Sequence, residues 1–127
     1  MIAGIGMDIV KTERIKLLLD KHGKTFLRKI LADDELAALE TDSLSPEKAA
    51  GKWAAKEAVA KALGCGFGSC CAVTDIHILH DGKGAPSVHL SGAASEYSQT
   101  LHISHIFVSI THEKEYAAAV AVLEKLP

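Results

Sequence analysis

Alternation of side chains over residues 2 to 10 predicts a buried strand, because both of its faces are rich in apolar residues. One face consists of Ile2, Gly4, Gly6, Asp8 and Val10, and the other of Ala3, Ile5, Met7 and Ile9. A glycine inside a strand weakens it but lets another backbone or a ligand come close. An acid at a strand end can simply face solvent or cap the next turn, but the two glycines on its face favour a functional position for Asp8.

Helical signals follow this strand. Thr12 is a candidate N-cap for a helix that ends by Gly23. A short helical segment covers residues 26 to 31, and Asp33 can cap another helix that runs to about Glu40.

The strongest helix prediction covers residues 46 to 63. The segment from Ser43 to Pro46 breaks the preceding pattern, Ser45 serves as N-cap, Pro46 is the first helical residue, and Gly64 is a good stop. Seven alanines favour the helix and allow its neighbours to approach closely. They are Ala49, Ala50, Ala54, Ala55, Ala58, Ala60 and Ala62.

Strands dominate the rest of the chain. A turn at residues 81 to 84 predicts a hairpin, and the final strand is apolar on both faces, so a helix or another subunit should cover each side. The order of a strand, then helices, then mostly strands predicts one α+β domain over residues 1 to 127. The elements after the long helix are two hairpin strands, a short helix and two strands, at residues 73–80, 87–91, 92–100, 103–111 and 116–123.

Composition narrows the function classes. The 127 residues are 48% hydrophobic but only 5% aromatic, so small aliphatic side chains must build the core. The net charge of −2 argues against a nucleic-acid binder. Half of the lysines and arginines nevertheless lie between residues 11 and 29, which predicts a basic surface for an acidic partner.

The three cysteines, Cys65, Cys70 and Cys71, have no disulfide-framework or zinc-site spacing, and we expect free thiols. The N-terminus lacks the basic start of a signal peptide, and no apolar run reaches the length of about 18 residues needed for a membrane span. A soluble protein of the cytoplasm is the expectation.

Glu57 and Lys61 lie four residues apart on one face of the long helix. Taken alone, such a pair is usually an exposed ion pair. This helix is rich in alanine, however, and should be largely buried, where charged groups need partners. A divalent ion held by Asp8 and Glu57, with Lys61 on a phosphate, would supply them, because magnesium typically takes one or two carboxylates plus phosphate oxygens and water.

Other candidate motifs give weaker evidence of a functional site. The glycine loop from Gly64 to Gly68 could present N–H groups to an anion, but it follows a helix C-terminus, where the dipole disfavours negative charge. His112 ends a strand, where it is either structural or able to contact a phosphate or take a proton. No nucleotide-binding glycine motif is present, and Ser109 and Thr111 lack the partners of a hydrolase triad.

Three blocks of sequence resemble the holo-acyl-carrier-protein synthases of the 4'-phosphopantetheinyl transferase superfamily. The first runs from Gly4 through Asp8 to Arg14, the second is Trp53-Ala54-Ala55-Lys56-Glu57-Ala58 continuing through Lys61 to Gly64, and the third contains Ser109-Ile110-Thr111-His112. The blocks span almost the whole chain in the family's order. The chain departs from the family at residues 82 to 86, where many relatives have a shorter turn, so nucleotide contacts there do not carry over.

The resemblance implies transfer of the phosphopantetheine arm from coenzyme A to a serine of apo acyl carrier protein, releasing 3',5'-ADP, in fatty acid biosynthesis. It implies Mg²⁺ held by Asp8 and Glu57, and a mostly antiparallel sheet packed against a long central helix with shorter N-terminal helices. It also implies a homotrimer with active sites between subunits. Lys61, Gly64 and His112 would bind coenzyme A, while Arg14 would face the acidic carrier protein. The basic segment from residue 11 to residue 29 adds Lys24 as a second candidate contact for that partner.

In this interpretation the metal and Lys61 offset charge on the phosphates. Glu57, directly or through water, is the candidate general base, although its role as a ligand competes with that duty. Two alternatives stay open: a non-catalytic module that binds coenzyme A or a carrier protein, and a metal-dependent phosphohydrolase in which water is the acceptor.

Overall fold

The computed structural model describes residues 1–39 and 44–127. In these residues, one strand, a run of four helices and then mostly strands make up an α+β fold, which confirms the predicted class. No helix of the described residues is both long and apolar enough to cross a membrane. The elements are β1 Ile2–Lys11, α1 Thr12–His22, α2 Lys24–Ile30, α3 Asp33–Ala38, α4 Pro46–Leu63, a short 3-10 helix Val73–Asp75, β2 Ile76–His80, β3 Pro86–Leu90, α5 Gly92–Thr100, β4 His105–His112 and β5 Tyr116–Glu124.

All strand pairing in these elements is antiparallel. One sheet has the order β1-β5-β4, and β2 and β3 form a separate hairpin. Helix α4 packs across the inner face of the three-stranded sheet, where the alanines of β5 are buried. The core is built from small aliphatic side chains of α4 and β5, as the composition predicted.

Helix α4 begins and ends where the sequence predicts. The Ser45 Oγ accepts a hydrogen bond from the Lys48 backbone N–H at 3.2 Å, Pro46 is the first helical residue, and Gly64 ends the helix in the left-handed conformation with a φ of 75°. Most residues of α4 are buried, including charged ones. The helix is therefore central to the domain and not a surface element.

The two glycines of β1 let α4 approach the strand backbone to backbone. A Cβ atom at Gly4 would overlap the Ala62 carbonyl, and one at Gly6 would overlap the Ala58 carbonyl and come within 2.6 Å of the Ala62 nitrogen. The glycines thus serve the packing of a helix and do not open space for a ligand. Asp8 lies on the same face of β1, beyond this contact.

Several predicted boundaries were wrong. Thr12 and Asp33 are the first residues of their helices, not N-caps, and Lys11 and Ala32 occupy the cap positions. The segment Val73–Asp75 forms a 3-10 turn rather than the start of a strand. The predicted helix end at Glu40 and the predicted break at Ser43 lie outside the described residues.

None of the described residues covers the outer face of the three-stranded sheet. Ile5, Met7 and Ile9 of β1 are each about two-thirds exposed, at 66%, 65% and 65%, and Phe107 of β4 is 55% exposed. Val122 of β5 pairs with both Ile5 and Phe107, so these side chains form one continuous apolar row. The prediction that both faces of β5 are covered therefore holds here for the inner face only.

The structure brings two of the three cysteines together. Cys65 and Cys70 lie side by side in the loop after α4, with Cα atoms 5.9 Å apart, a separation that allows a disulfide, while Cys71 is a free and buried thiol. Sequence spacing did not predict this proximity, because it depends on how the glycine-rich loop folds back on itself.

Candidate active site

Asp8 and Lys61 meet where β1 passes α4. The Lys61 Nζ donates to the Asp8 Oδ1 at 3.0 Å and to the Met7 carbonyl oxygen at 3.1 Å. The Asp8 side chain is 17% exposed and that of Lys61 is 53% exposed, so the pair lies at an accessible surface. The sequence paired Lys61 with Glu57 along the helix, and the structure adds the contact with Asp8 across the elements.

Glu57 completes an electrostatic cluster at this point. Its half-buried position raises the pKa of its carboxyl above the ordinary value, and the neighbouring negative charge of Asp8 raises it further. The positive charges of Lys61 and Arg14 act in the opposite direction. Charges carried by β1, α1 and α4 therefore act together on Glu57, and Arg14 belongs to this cluster as well as to the basic surface.

The donor set suits a hard divalent ion that is completed by a substrate. Two carboxylates on different elements are the usual protein share of a magnesium site, whose remaining positions go to water and phosphate oxygens. No cluster of three or more His, Cys, Asp or Glu side chains suited to a metal occurs among residues 1–39 and 44–127. Asp8 and Glu57 thus fit a shared, substrate-dependent site better than a closed structural one.

Next to Glu57 lies a buried charge network that the sequence did not predict. Lys56 is fully buried, and its Nζ contacts the Glu35 Oε1 at 2.6 Å and donates to the backbone carbonyls of Val73 and Ile76. Glu35 is also fully buried and accepts a hydrogen bond from the Ala32 backbone N–H at 2.9 Å. The network ties α4 to α3 and to the start of β2.

Lys52, one turn earlier on α4, belongs to the same network. Its Nζ lies 3.8 Å from the Glu35 Oε2 and donates to the Ile78 carbonyl. Burial lowers the pKa values of Lys52 and Lys56, while the negative charge of Glu35 raises them and only partly offsets that effect. No local pattern marks Glu35, which precedes Lys56 by 21 residues.

His112 does not join Asp8 and Glu57 within one chain. It lies at the end of β4, on the other edge of the sheet from β1, and lines an open cavity of about 630 Å³. Lys48 and Lys52 of α4 and the hairpin turn at Gly82 and Gly84 line the same cavity. The departure at residues 82 to 86 therefore borders this cavity and not the acid pair.

The other predicted substrate-binding residues are scattered over the surface. Gly64 is exposed at the C-terminus of α4, one turn beyond Lys61. Arg14 is exposed on α1 and Lys24 is exposed at the first turn of α2. The acid pair, Lys61, Gly64 and Arg14 thus share one region, while Lys24 and His112 lie elsewhere on the chain.

Comparison with known proteins identifies the class. The family model described as the 4'-phosphopantetheinyl transferase superfamily matches residues 4–121. The chain belongs to this superfamily.

Proteins similar to this chain include holo-[acyl-carrier-protein] synthases. A holo-[acyl-carrier-protein] synthase of Halorhodospira halophila is 41% identical over 123 residues, covering 97% of this chain and 98% of that protein. A holo-[acyl-carrier-protein] synthase of Maridesulfovibrio salexigens is 43% identical over 98% of this chain and 100% of that protein.

Solved structures agree with the fold. The crystal structure of the holo-[acyl-carrier-protein] synthase of Neisseria meningitidis superposes with a TM-score of 0.89 at 36% identity, covering 98% of this chain and 100% of that one. That of Helicobacter pylori, in complex with coenzyme A, gives a TM-score of 0.81 at 33% identity, covering 94% and 99%.

Proposed function

We propose that this chain is a holo-[acyl-carrier-protein] synthase, which transfers the 4'-phosphopantetheine arm of coenzyme A to a serine of apo acyl carrier protein and releases 3',5'-ADP. The observation that carries the proposal is the convergence of Asp8, Glu57 and Lys61 in a chain that matches proteins of this name over nearly its whole length. A solved relative holds coenzyme A.

Each member of the cluster has a role in this reaction. Asp8 and Glu57 would hold Mg²⁺, which supplies positive charge against the pyrophosphate when it is bound. Lys61, now paired with Asp8, is exposed enough to turn toward a phosphate oxygen. Glu57 is the candidate acceptor of the serine proton, since its pKa is raised toward the working range.

The direct experiment incubates the protein with Mg²⁺, coenzyme A and apo acyl carrier protein, and follows the mass of the carrier. We expect the carrier to gain the mass of the phosphopantetheine arm. Coenzyme A binding without any gain in mass would favour a non-catalytic module. Release of 3',5'-ADP without carrier protein would favour a phosphohydrolase. Either outcome would overturn the proposed transfer.

We also propose that the uncovered sheet face joins three copies of the chain. Contiguous exposed apolar surface is typical of interaction sites, and the row of Ile5, Val122 and Phe107 offers one. The arrangement would let a neighbouring copy bring its cavity with His112 and Lys52 to the nucleotide end of coenzyme A. This would account for the separation of His112 from the acid pair.

Val120 tests the assembly, because it lies at the middle of β5 on this face, between Met7 and Ser109. Val120→Glu should convert the protein from a trimer to a species near the 13.5 kDa mass of one chain and strongly reduce transfer. Light scattering after size exclusion measures the mass. Leu126→Glu, at an apolar residue of the C-terminus that is 67% exposed, is the matched control and should stay trimeric. A monomeric wild type would refute the assembly.

The basic surface of α1 and α2 is the proposed docking site for the acidic carrier protein. Lys24 is exposed there and is not part of the acid cluster. Lys24→Glu should raise the KM for carrier protein by about tenfold, with little change in the KM for coenzyme A, because one repelled charge at an interface costs on the order of 1 kcal/mol. Steady-state kinetics with each substrate varied decides this, and an equal rise in both constants would contradict it.

We further propose that residues 1 to 127 act as a single domain and that the protein works in the cytoplasm, in fatty acid biosynthesis. The family match over residues 4–121 supports the single domain. The relatives' name, holo-[acyl-carrier-protein] synthase, supports the proposed place in fatty acid biosynthesis.

A further inference from the structure

Outside the acid cluster, three side chains form a Ser-His-Asp hydrogen-bond chain. The His77 Nδ1 lies 2.7 Å from the Asp34 Oδ1, and the His77 Nε2 lies 2.8 Å from the Ser91 Oγ. The residues come from α3, β2 and the position before α5. The order Asp-His-Ser and the distances match the relay that activates a serine in hydrolases, which is defined by geometry and not by sequence position.

The relay is open to a ligand. All three residues line a surface cavity of about 730 Å³, together with the apolar side chains of Leu31 and Leu36. The His77 side chain is only 14% exposed, so its ring is held in place, and the Asp34 side chain is 43% exposed. Arg28 also lines the cavity and provides positive charge.

One tautomer of His77 suits proton transfer from Ser91. With its proton on Nδ1, His77 donates to Asp34 and accepts the Ser91 hydroxyl proton at Nε2. Burial raises the pKa of Asp34, but its hydrogen bonds with His77 and with the Glu35 backbone N–H lower it by more, so the pKa lies below its ordinary value and the carboxylate stays ionised. The Asp75 carbonyl is a more distant acceptor for Ser91, at 3.5 Å.

The Ser91 side chain makes no capping hydrogen bond to α5, although Ser91 stands at the N-cap position. Its hydroxyl is therefore available to His77. The acidic partner at that helix end is Asp75, whose Oδ2 accepts from the Ala94 backbone N–H at 3.2 Å. The helix N-terminus is thus already neutralised. Arg28 is the cation in the cavity lining that can offset the charge of a developing oxyanion.

We propose that Asp34, His77 and Ser91 form a second active site that hydrolyses small carboxylic esters with an apolar acyl group. The Ser91 Oγ bonds to the carbonyl carbon while His77 takes the serine proton, and the alcohol leaves with that proton. Water then attacks the acyl-serine and gives one proton to His77, which returns it to the Ser91 Oγ as the carboxylic acid departs. The reaction consumes only ester and water.

A fluorophosphonate probe tests the nucleophile in wild-type protein without metal, coenzyme A or carrier protein. We expect one phosphonyl adduct, located on Ser91 by peptide mass spectrometry, with fluoride released. Hydrolysis of p-nitrophenyl butyrate should be at least about 100-fold slower in Ser91→Ala and His77→Gln, the usual share of a nucleophile and its base. Ser95→Ala, on the helix that follows Ser91, is the matched control and should keep both activities.

Asp34→Asn separates a relay from a simple serine-histidine contact. It should slow both labelling and hydrolysis, because Asp34 orients the imidazole, and circular dichroism checks that each variant is folded. No adduct on Ser91 in the folded wild type would overturn the proposal, as would hydrolysis that is unchanged in Ser91→Ala. Labelling of Ser91 that is equally fast in His77→Gln would overturn the relay.

Discussion

Asp8→Ala and Glu57→Ala should each reduce transfer of the phosphopantetheine arm by at least about 1000-fold, the range expected when an electrostatic anchor of a phosphoryl-transfer site is lost. Each change removes one of two carboxylates that would hold the metal, and the remaining acid cannot position it alone. The carrier-mass assay measures the loss. Near-normal turnover in either variant would show that the metal assignment is wrong.

A control variant and the pH dependence of metal binding make this test more specific. Glu96→Ala changes an exposed acid of α5, away from the acid pair and from the basic surface, and should leave transfer unchanged. Because the pKa of Glu57 is raised, protons should compete with Mg²⁺ at a higher pH than they would at an ordinary glutamate. Titration calorimetry with Mg²⁺ and coenzyme A should therefore show affinity falling as pH drops toward that pKa. Glu57→Gln should bind Mg²⁺ more weakly, and the affinity that remains should no longer fall over this pH range.

Lys56→Met should lower the free energy of unfolding by about 3–5 kcal/mol, the usual cost of removing one partner of a buried ion pair. The change leaves the fully buried Glu35 carboxylate without its 2.6 Å contact, and takes one donor away from each of the Val73 and Ile76 carbonyls. Since small domains are stable by only about 5–15 kcal/mol, a large share of the stability is at stake. Urea unfolding followed by circular dichroism provides the measurement.

Lys48→Met is the matched control for this second prediction. Lys48 is an exposed lysine on the same helix, and its loss should change stability by about 0.5 kcal/mol or less. If Lys56→Met were as mild as this control, Glu35 and Lys56 would not anchor α3 to α4. The comparison separates burial of the charge from the general effect of replacing a lysine on α4.

Local signals explain which elements could be predicted. Ser45, Pro46 and Gly64 each act within a few residues of the helix end that they define, and α4 is found between the bounds they predict. The Val73–Asp75 turn is different, because the Asp75 carboxylate accepts a hydrogen bond from the Ala72 backbone N–H and favours a turn where alternation alone predicts a strand.

The candidate site also contains parts that the sequence could predict and parts that it could not. The glycines on the face of Asp8 and the spacing of Glu57 and Lys61 could be read from the sequence, and the family resemblance brought the two segments together. Contacts between distant segments could not be read in this way, as for the pairing of Glu35 with Lys56. Cavities such as the one lined by His112 depend on the folded hairpin beside them.

The close contact between β1 and α4 has a consequence for how the acid pair would respond to an ion. Asp8 and Glu57 are carried by two elements whose main chains touch through Gly4 and Gly6, so their Cα separation is set by the scaffold and not by intervening side chains. Ion capture would then require only torsional adjustment of the two side chains. Little conformational freedom would be lost on loading, because the backbone that carries the two carboxylates is already in place.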